Sequence, residues 1–225
     1  MILTTTEVAA LALSIKTASF SLILILPPGL LIGWVLAKLS FRGKSLLNTI
    51  VMLPVVLPPV VSGYFLLILF SKRGPIGRIL LQLFGLEIVF SWLAVVLAIS
   101  VISFPLLVRG IATAMEGVNP QLESAARTLG ANPLKVFFTV TLPLSYRGII
   151  GGAILGFSRS LGEFGATMMV AGNIQGKTQT LPLAIFNFVQ TGKDAGVYRL
   201  VLLSTVIAFV TLWIAERLYL KSPRP

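Results

Sequence analysis

The chain contains no cysteine and no histidine, and only 11% of its 225 residues are charged. Without cysteine there are no disulfides and no thiolate chemistry; without both residues, ordinary zinc sites and histidine-ligated haem are excluded. General acid–base work would fall to seven widely spaced carboxylates, a poor endowment for an enzyme. The scarcity of charge is the stronger constraint. A soluble domain carries roughly 25% charged residues, whereas this sequence is 56% apolar with a mean hydropathy of +0.97. It lacks the polar surface of a water-soluble globule and reads as an integral membrane protein.

A crossing helix needs about 20 apolar residues. Five stretches qualify, at about 11–37, 46–70, 91–109, 148–171 and 198–219. They use up the length, so residues 1–225 read as one all-α transmembrane domain with about five crossings. The start, "MILTTTEVAALALSIKTASF", has no charged region directly before a short apolar core and no small-residue cleavage site. It reads as the beginning of the first crossing rather than a removed signal peptide.

The net charge is +11, but the 18 Lys and Arg are scattered singly or in pairs at the ends of apolar runs. There they can snorkel to lipid headgroups. No basic arm or aromatic-interleaved patch is present, which argues against nucleic acid as a partner. With the N-terminus outside, the inner side holds Lys38, Arg42, Lys44, Arg109, Arg127, Lys135, Arg147, Arg217, Lys221 and Arg224. The outer side holds Lys16, Lys72, Arg73, Arg78, Lys177, Lys193 and Arg199. The excess of basic residues on the first side favours N-out, C-in.

Three apolar stretches carry internal proline: "ILPPGLLIG" (25–33), "MLPVVLPPVVSGY" (52–64, with Pro58 and Pro59 adjacent) and "ISFPLLV" (102–108). Each proline removes an N–H and disfavours helical geometry before it. Two readings stand: kinks that help helices pack, or irregular backbone lining a pathway. "GNIQGKT" (172–178) imitates a phosphate-binding loop but has three residues between its glycines where four are needed, and no buried strand precedes it. The chain therefore carries no nucleotide-binding motif of its own.

Residues 117–148, "GVNPQLESAARTLGANPLKVFFTVTLPLSYRG", are the polar exception. Asn119 with Pro120 is a helix start, and Gly130 suits a left-handed stop. Leu122, Ala125, Ala126 and Leu129 fall on one narrow apolar stripe. Glu123 and Arg127 are spaced for an i,i+4 pair beside Ser124 and Thr128. Asn132 and Pro133 repeat the start signal for a second short helix, with Pro143 as its expected limit. More than thirty residues in an amphipathic elbow exceed what a passive connection needs and point to a docking surface.

The segment "ESAARTLGANPLKVFFTVTLP" resembles the EAA loop of importer-type ABC transporter permeases. Ala125, Ala126, Gly130, Leu142 and Pro143 match that pattern in place. Ser124 stands where the motif usually has its acid, and Glu123 is one position earlier. The resemblance implies that 118–143 is a cytoplasmic coupling segment seated on an ATPase subunit, with Glu123 to Arg127, Gly130, Leu142 and Pro143 as its contact residues. It also implies the type I importer permease architecture.

"GFSRSLGEFGATMMVAGN" (156–173) places Arg159 and Glu163 inside an apolar run. A charge at that depth costs at least about 2.5 kcal/mol. One turn apart, the two could neutralise each other. Gly156, Gly162 and Gly165 would allow close approach of another helix or a substrate. Either the pair fixes helix packing, or it stands beside the pathway and offsets an anion's charge; both readings stay open here. "RSLGEFGA" is similar to permeases for tetrahedral oxyanions, as are "FRGKSLLNTIVMLPVVLPPVVSGY", "FFTVTLPLS" and "GNIQGKTQTLP". Within that group the likeness is greatest to the molybdate branch, tungstate being nearly equivalent and sulfate the alternative.

What this resemblance implies is a multi-pass protein of the bacterial inner membrane, working with a second copy of itself, two cytoplasmic ATPase subunits and an external molybdate-binding protein. ATP and Mg would be used by the ATPase subunits, with no cofactor on this chain. An ion-coupled secondary carrier would be expected to show two related halves, and no internal repeat is visible. A membrane enzyme is disfavoured by the absence of His, Cys and any close carboxylate cluster.

Overall fold

The computed structural model describes residues 3–220, and all the regular structure among them is helical. In chain order the helices are α1 (Thr5–Lys38), α2 (Lys44–Val56), α3 (Pro59–Phe70), α4 (Pro75–Phe84), α5 (Trp92–Glu116), α6 (Pro120–Thr128), α7 (Pro133–Val136), α8 (Leu142–Leu161), α9 (Gly165–Ala171), α10 (Leu181–Gln190) and α11 (Asp194–Leu220). A π-helical turn, Phe137–Thr141, joins α7 to α8. Lys221 and Arg224, used above for orientation, lie outside the described residues.

Helices α1 and α5 lie side by side and run in the same direction. At one end Lys16 Nζ sits 4.5 Å over the Trp92 ring. Further along, the Ser21 and Ser100 hydroxyls share a 2.8 Å hydrogen bond, and a Cβ added at Gly29 would stand 3.0 Å from Leu107. At the other end Lys38 Nζ donates to the Val118 carbonyl at 3.3 Å. Two parallel helices oblige the chain between them to cross back. Residues 44–70 therefore form a crossing, not a loop that re-enters on one side.

That crossing is not one helix. α2 and α3 meet at 106° across Leu57 and Pro58. They have 13 and 12 residues, so each alone is only about 18–20 Å long, too short to cross a hydrocarbon layer of about 30 Å. Pro58 cannot donate to the turn before it, and Leu57 ahead of it is held extended (ψ 139°). Pro27 and Pro28 in α1 and Pro105 in α5 lie inside unbroken helices. Of the three proline-bearing stretches, two are absorbed by packing and one becomes a break.

α8 runs antiparallel to α5. A Cβ at Gly148 would come within 2.6 Å of Ala114 Cβ, and one at Gly152 within 3.2 Å of Gly110 Cα, so the two backbones approach through small residues. The Ser103 and Ser160 hydroxyls bond at 2.9 Å. Residues 148–171 are likewise interrupted: α8 stops at Leu161, and α9 resumes the path after Gly162–Phe164. α11 begins where α1 begins, since Arg199 Nη2 lies 2.7 Å from Glu7 Oε1. Glu7 is wholly buried. Among the described residues four helices are long and apolar enough to cross a membrane, and the bent pair makes a fifth.

Five crossings place the ends of the described chain on opposite sides. Because the chain has no cysteine, single-cysteine variants report topology without background. An impermeant maleimide is expected to label Lys72→Cys and Lys193→Cys from one side of the membrane, and Arg42→Cys and Thr128→Cys only from the other. Labelling of positions 42 and 72 from the same side would contradict the broken crossing.

Candidate functional site: two facing breaks and a latched elbow

Ser103 lies half-way along α5, and Ser160 is bonded to it. The interruption at Gly162–Phe164 therefore falls near the centre of the hydrocarbon layer that α5 spans. The α2–α3 break sits directly against it. A Cβ at Gly165 would be 3.1 Å from Pro59 Cβ, and one at Gly63 would be 2.7 Å from the Ala166 carbonyl oxygen. Pro58, Pro59, Gly162, Glu163 and Gly165, remote in sequence, are thus gathered at one level. Freed backbone groups at this depth are tolerated only where they are buried in protein or line a water-filled cavity.

Glu163 holds its side of the break. It is 2% exposed; Oε1 accepts the Ala166 N–H at 2.9 Å and Oε2 lies 2.8 Å from Arg159 Nη2. One carboxylate oxygen thus satisfies a donor at the start of α9, and the other neutralises the guanidinium. Arg159 keeps 37% of its side chain exposed, so part of its donor fork remains available. The hydroxyls of Ser62 on α3 and Thr167 on α9 are buried with no hydrogen-bond partner among the described residues. Sequence reasoning missed them, because Ser and Thr in a crossing ordinarily bond back to their own helix. Only the neighbourhood of the break sets these two apart.

The elbow follows its start signals. Asn119 Oδ1 accepts the Gln121 N–H at 2.9 Å, and Asn132 Oδ1 accepts the Lys135 N–H at 2.8 Å. Gly130 has φ +85°, a conformation that costs an L side chain energy. Leu122, Ala125, Leu129 and Leu134 are exposed, Leu129 at 89%, and Ala126 is half-buried. Ser124 and Arg127 are exposed as well.

Two expectations are corrected. Pro143 does not limit the second helix: it occupies the first turn of α8, which continues from α7 through the π-helical turn. There Leu142 N–H bonds the Phe137 carbonyl, and the widened turn leaves space for a ring that carries no N–H. Glu123 does not pair with Arg127. It is buried, with Oε1 3.1 Å from Lys38 Nζ and accepting the Thr141 hydroxyl at 2.6 Å. The one-residue shift of the acid from the usual motif position turns it inward, about 100° round the helix. The elbow is thereby latched to the end of α1 and to the turn that feeds α8. By its position alone Lys38 reads as a snorkelling terminal lysine; the fold gives it Glu123 as partner.

The fold defines the class: a bundle of crossings with a capped elbow has the architecture of a type I ABC importer permease. It superposes on a chain of a bacterial alginate ABC transporter crystal structure with TM-score 0.72 at 15% identity, over 95% of this chain and 78% of that one. Residues 29–221 match the family of binding-protein-dependent transport system inner membrane components, and the chain belongs to that family. It is 49% identical to the molybdenum transport system permease protein ModB of Escherichia coli K12, over 96% of this chain and 95% of that protein. It is 46% identical to ModB of Haemophilus influenzae, over 96% of each. The chain is thus an inner-membrane, multi-pass permease subunit whose family works with an ATPase and a binding protein.

Removing one member of a buried ion pair typically costs about 3–5 kcal/mol. Lys38→Met is accordingly expected to loosen the elbow, seen as faster proteolysis within residues 117–132 and a lowered melting temperature in detergent. Adding Glu123→Leu to that variant is expected to recover much of the loss. An unchanged proteolysis rate in Lys38→Met would show that the latch does not hold the elbow.

Proposed function

We propose that this chain is the translocation subunit of an ATP-driven importer of molybdate, with tungstate accepted as a near-isosteric dianion. The observation that carries the translocation reading is the pair of facing breaks near mid-membrane, where α2–α3 and α8–α9 meet. The choice of substrate is supported by the likeness, over nearly the whole chain, to permeases named for molybdenum.

In this reading the pathway runs past Pro58, Pro59, Gly162, Glu163 and Gly165. The exposed donors of Arg159 meet the passing oxyanion, and the hydroxyls of Ser62 and Thr167 become further donors when α3 and α9 part. Glu163 already neutralises Arg159, so the anion is held weakly. A conducting path must bind well enough to admit an ion and weakly enough to release it.

The N-terminus lies outside. The elbow, residues 118–143, faces the cytoplasm and offers Leu122, Ala125, Ala126 and Leu129 to a cleft of the ATPase, with Ser124 and Arg127 at its margin. Two copies of this chain, two ATPase subunits and an external molybdate-binding protein make up the transporter. ATP, with Mg, is used by the ATPase subunits. Closure of those subunits draws the elbows together and moves α8 through the turn that ends at Leu142 and Pro143.

Vesicles holding this chain, the ATPase and the molybdate-loaded binding protein are expected to take up molybdate only with ATP, with sulfate a poor competitor. Uptake by the chain alone, driven by an ion gradient, would overturn the proposal. In the same vesicles Glu163→Ala is expected to cut uptake at least about tenfold, a barrier change of ~1.4 kcal/mol, while assembly is retained. Loss of assembly would instead make the pair a packing element.

Gly130→Pro tests the elbow separately, because proline locks φ near −65° where the chain needs a positive angle. Membrane insertion is expected to be normal and copurification of the ATPase lost. Normal copurification would remove the coupling role.

A further inference from the structure

We propose that α4 is a membrane-surface helix whose outward apolar face lies among the phospholipid acyl chains where the α2–α3 crossing emerges. The inference depends on the fold alone and holds whatever the transporter carries.

The apolar arc of α4 is wider than the protein covers. At about 100° per residue, Gly77, Leu80, Leu81 and Phe84 fall on one side; the first three pack inward, whereas Phe84, in the last turn, is 67% exposed. Gly77 is buried so tightly that a Cβ there would stand 2.1 Å from the Ser71 carbonyl oxygen, and Leu80 packs against the core cluster of α3, α5 and α9. Ile76, Ile79 and Leu83 fall within an adjoining arc of about 60° and are exposed, Leu83 at 70% and Ile79 at 55%. Arg78 and Gln82 occupy the remaining wedge and are exposed too. A helix with its polar residues confined to one wedge, basic charge in that wedge and large aliphatics beside it has the composition of an interfacial helix.

Three observations name lipid as the occupant. The first is depth. α3 leads away from the mid-membrane break, and its end, Phe70, packs in the same cluster as Ile88 and Val89, just ahead of Trp92. α4 begins five residues after Phe70. Trp92, a residue favoured at the edge of the hydrocarbon layer, opens α5 at this level.

The second is continuity. Phe65, Ile68 and Leu69 on the crossing helix α3 are exposed, and in an inner-membrane protein a crossing's exposed apolar face is turned to lipid unless another subunit covers it. α4 folds back against the end of α3 through Gly74 and Gly77 and extends that surface. The third is charge. Arg73 and Arg78 are exposed, and neither has an ion-pair partner among the described residues, while neighbouring Lys72 is bonded to Glu87 at 2.8 Å. Two unpaired guanidinium groups beside an aliphatic face suit lipid phosphates at the edge of the acyl layer.

Spin labels test this directly on the cysteine-free chain. The full chain, carrying nitroxide at Ile79→Cys, Leu83→Cys, Arg78→Cys or Gln82→Cys, is reconstituted in phosphatidylethanolamine and phosphatidylglycerol vesicles. Collision with oxygen, which concentrates in the bilayer, is compared with collision with a water-soluble nickel chelate. The oxygen-to-nickel ratio is expected to be several-fold higher at positions 79 and 83 than at 78 and 82. Ratios equal across the four positions would place the face in water and overturn the proposal. So would labels at 79 and 83 that are shielded from both reagents, the mark of a protein partner on this face. Ile76→Cys provides a second reporter of the same face should either aliphatic variant fail to fold.

Discussion

A carboxylate at the centre of a lipid bilayer has to be neutralised, and its oxygens need donors, and the path of the chain near Glu163 follows from how that demand is met. One oxygen takes the guanidinium of Arg159 from the preceding turn, and the other takes the N–H of Ala166 from the following helix. The α8–α9 interruption lies between these two bonds. Unbroken helix through Gly162 would have left the Ala166 N–H to a carbonyl of its own helix and removed the acid's second donor. The break, the placement of Arg159 and the seating of Gly165 against Pro59 therefore stand together.

Around this point the bundle divides into stiff and broken parts. α1, α5 and α8 approach through Gly29, Gly33, Gly110, Gly148 and Gly152, the small-residue contact that dispersion in lipid rewards. Both ends of α1 are fixed by charge: Glu7 to Arg199 at one end, Lys38 to Glu123 at the other. The crossings made of two pieces, α2–α3 and α8–α9, are the ones that meet at mid-depth. The bundle keeps its long helices continuous and brings the breaks of both two-piece crossings to one level, which on the proposed reading is where the ion passes.

Much of the elbow was legible because its signals are local. Asn119–Pro120, Asn132–Pro133 and Gly130 each act within a turn, and each takes the backbone form its chemistry requires. The crossings were legible as apolar runs, but their breaks were not separable from kinks: Pro28 and Pro105 remove N–H groups just as Pro58 does, and only the neighbours decide which helix stays whole. The i,i+4 rule pairs Glu123 with Arg127 because it reaches only near neighbours. The partner in the fold, Lys38, is far away in sequence and is brought near only because α1 and α5 are parallel. The depth of Arg159 and Glu163 depended in the same way on the register of α8 against α5.

On the proposed reading, the latch and the mid-membrane break are parts of one mechanical connection. Glu123 bonds the Thr141 hydroxyl, and Ser145 donates to the Thr141 carbonyl at 2.6 Å. Force applied to α6 thus enters at the π-helical turn that begins α8. From Leu142 to Leu161 α8 is one continuous helix of 20 residues, a rod of about 30 Å, and Arg159 stands in its last turn. A displacement of the elbow need not pass through loops or solvent to reach Arg159, Glu163 and the face of α9. On that reading the π-helical turn, Phe137–Thr141, is where the rod can bend relative to the elbow. Lys38 opposes that stroke by holding α6 to α1, which remains packed on α5.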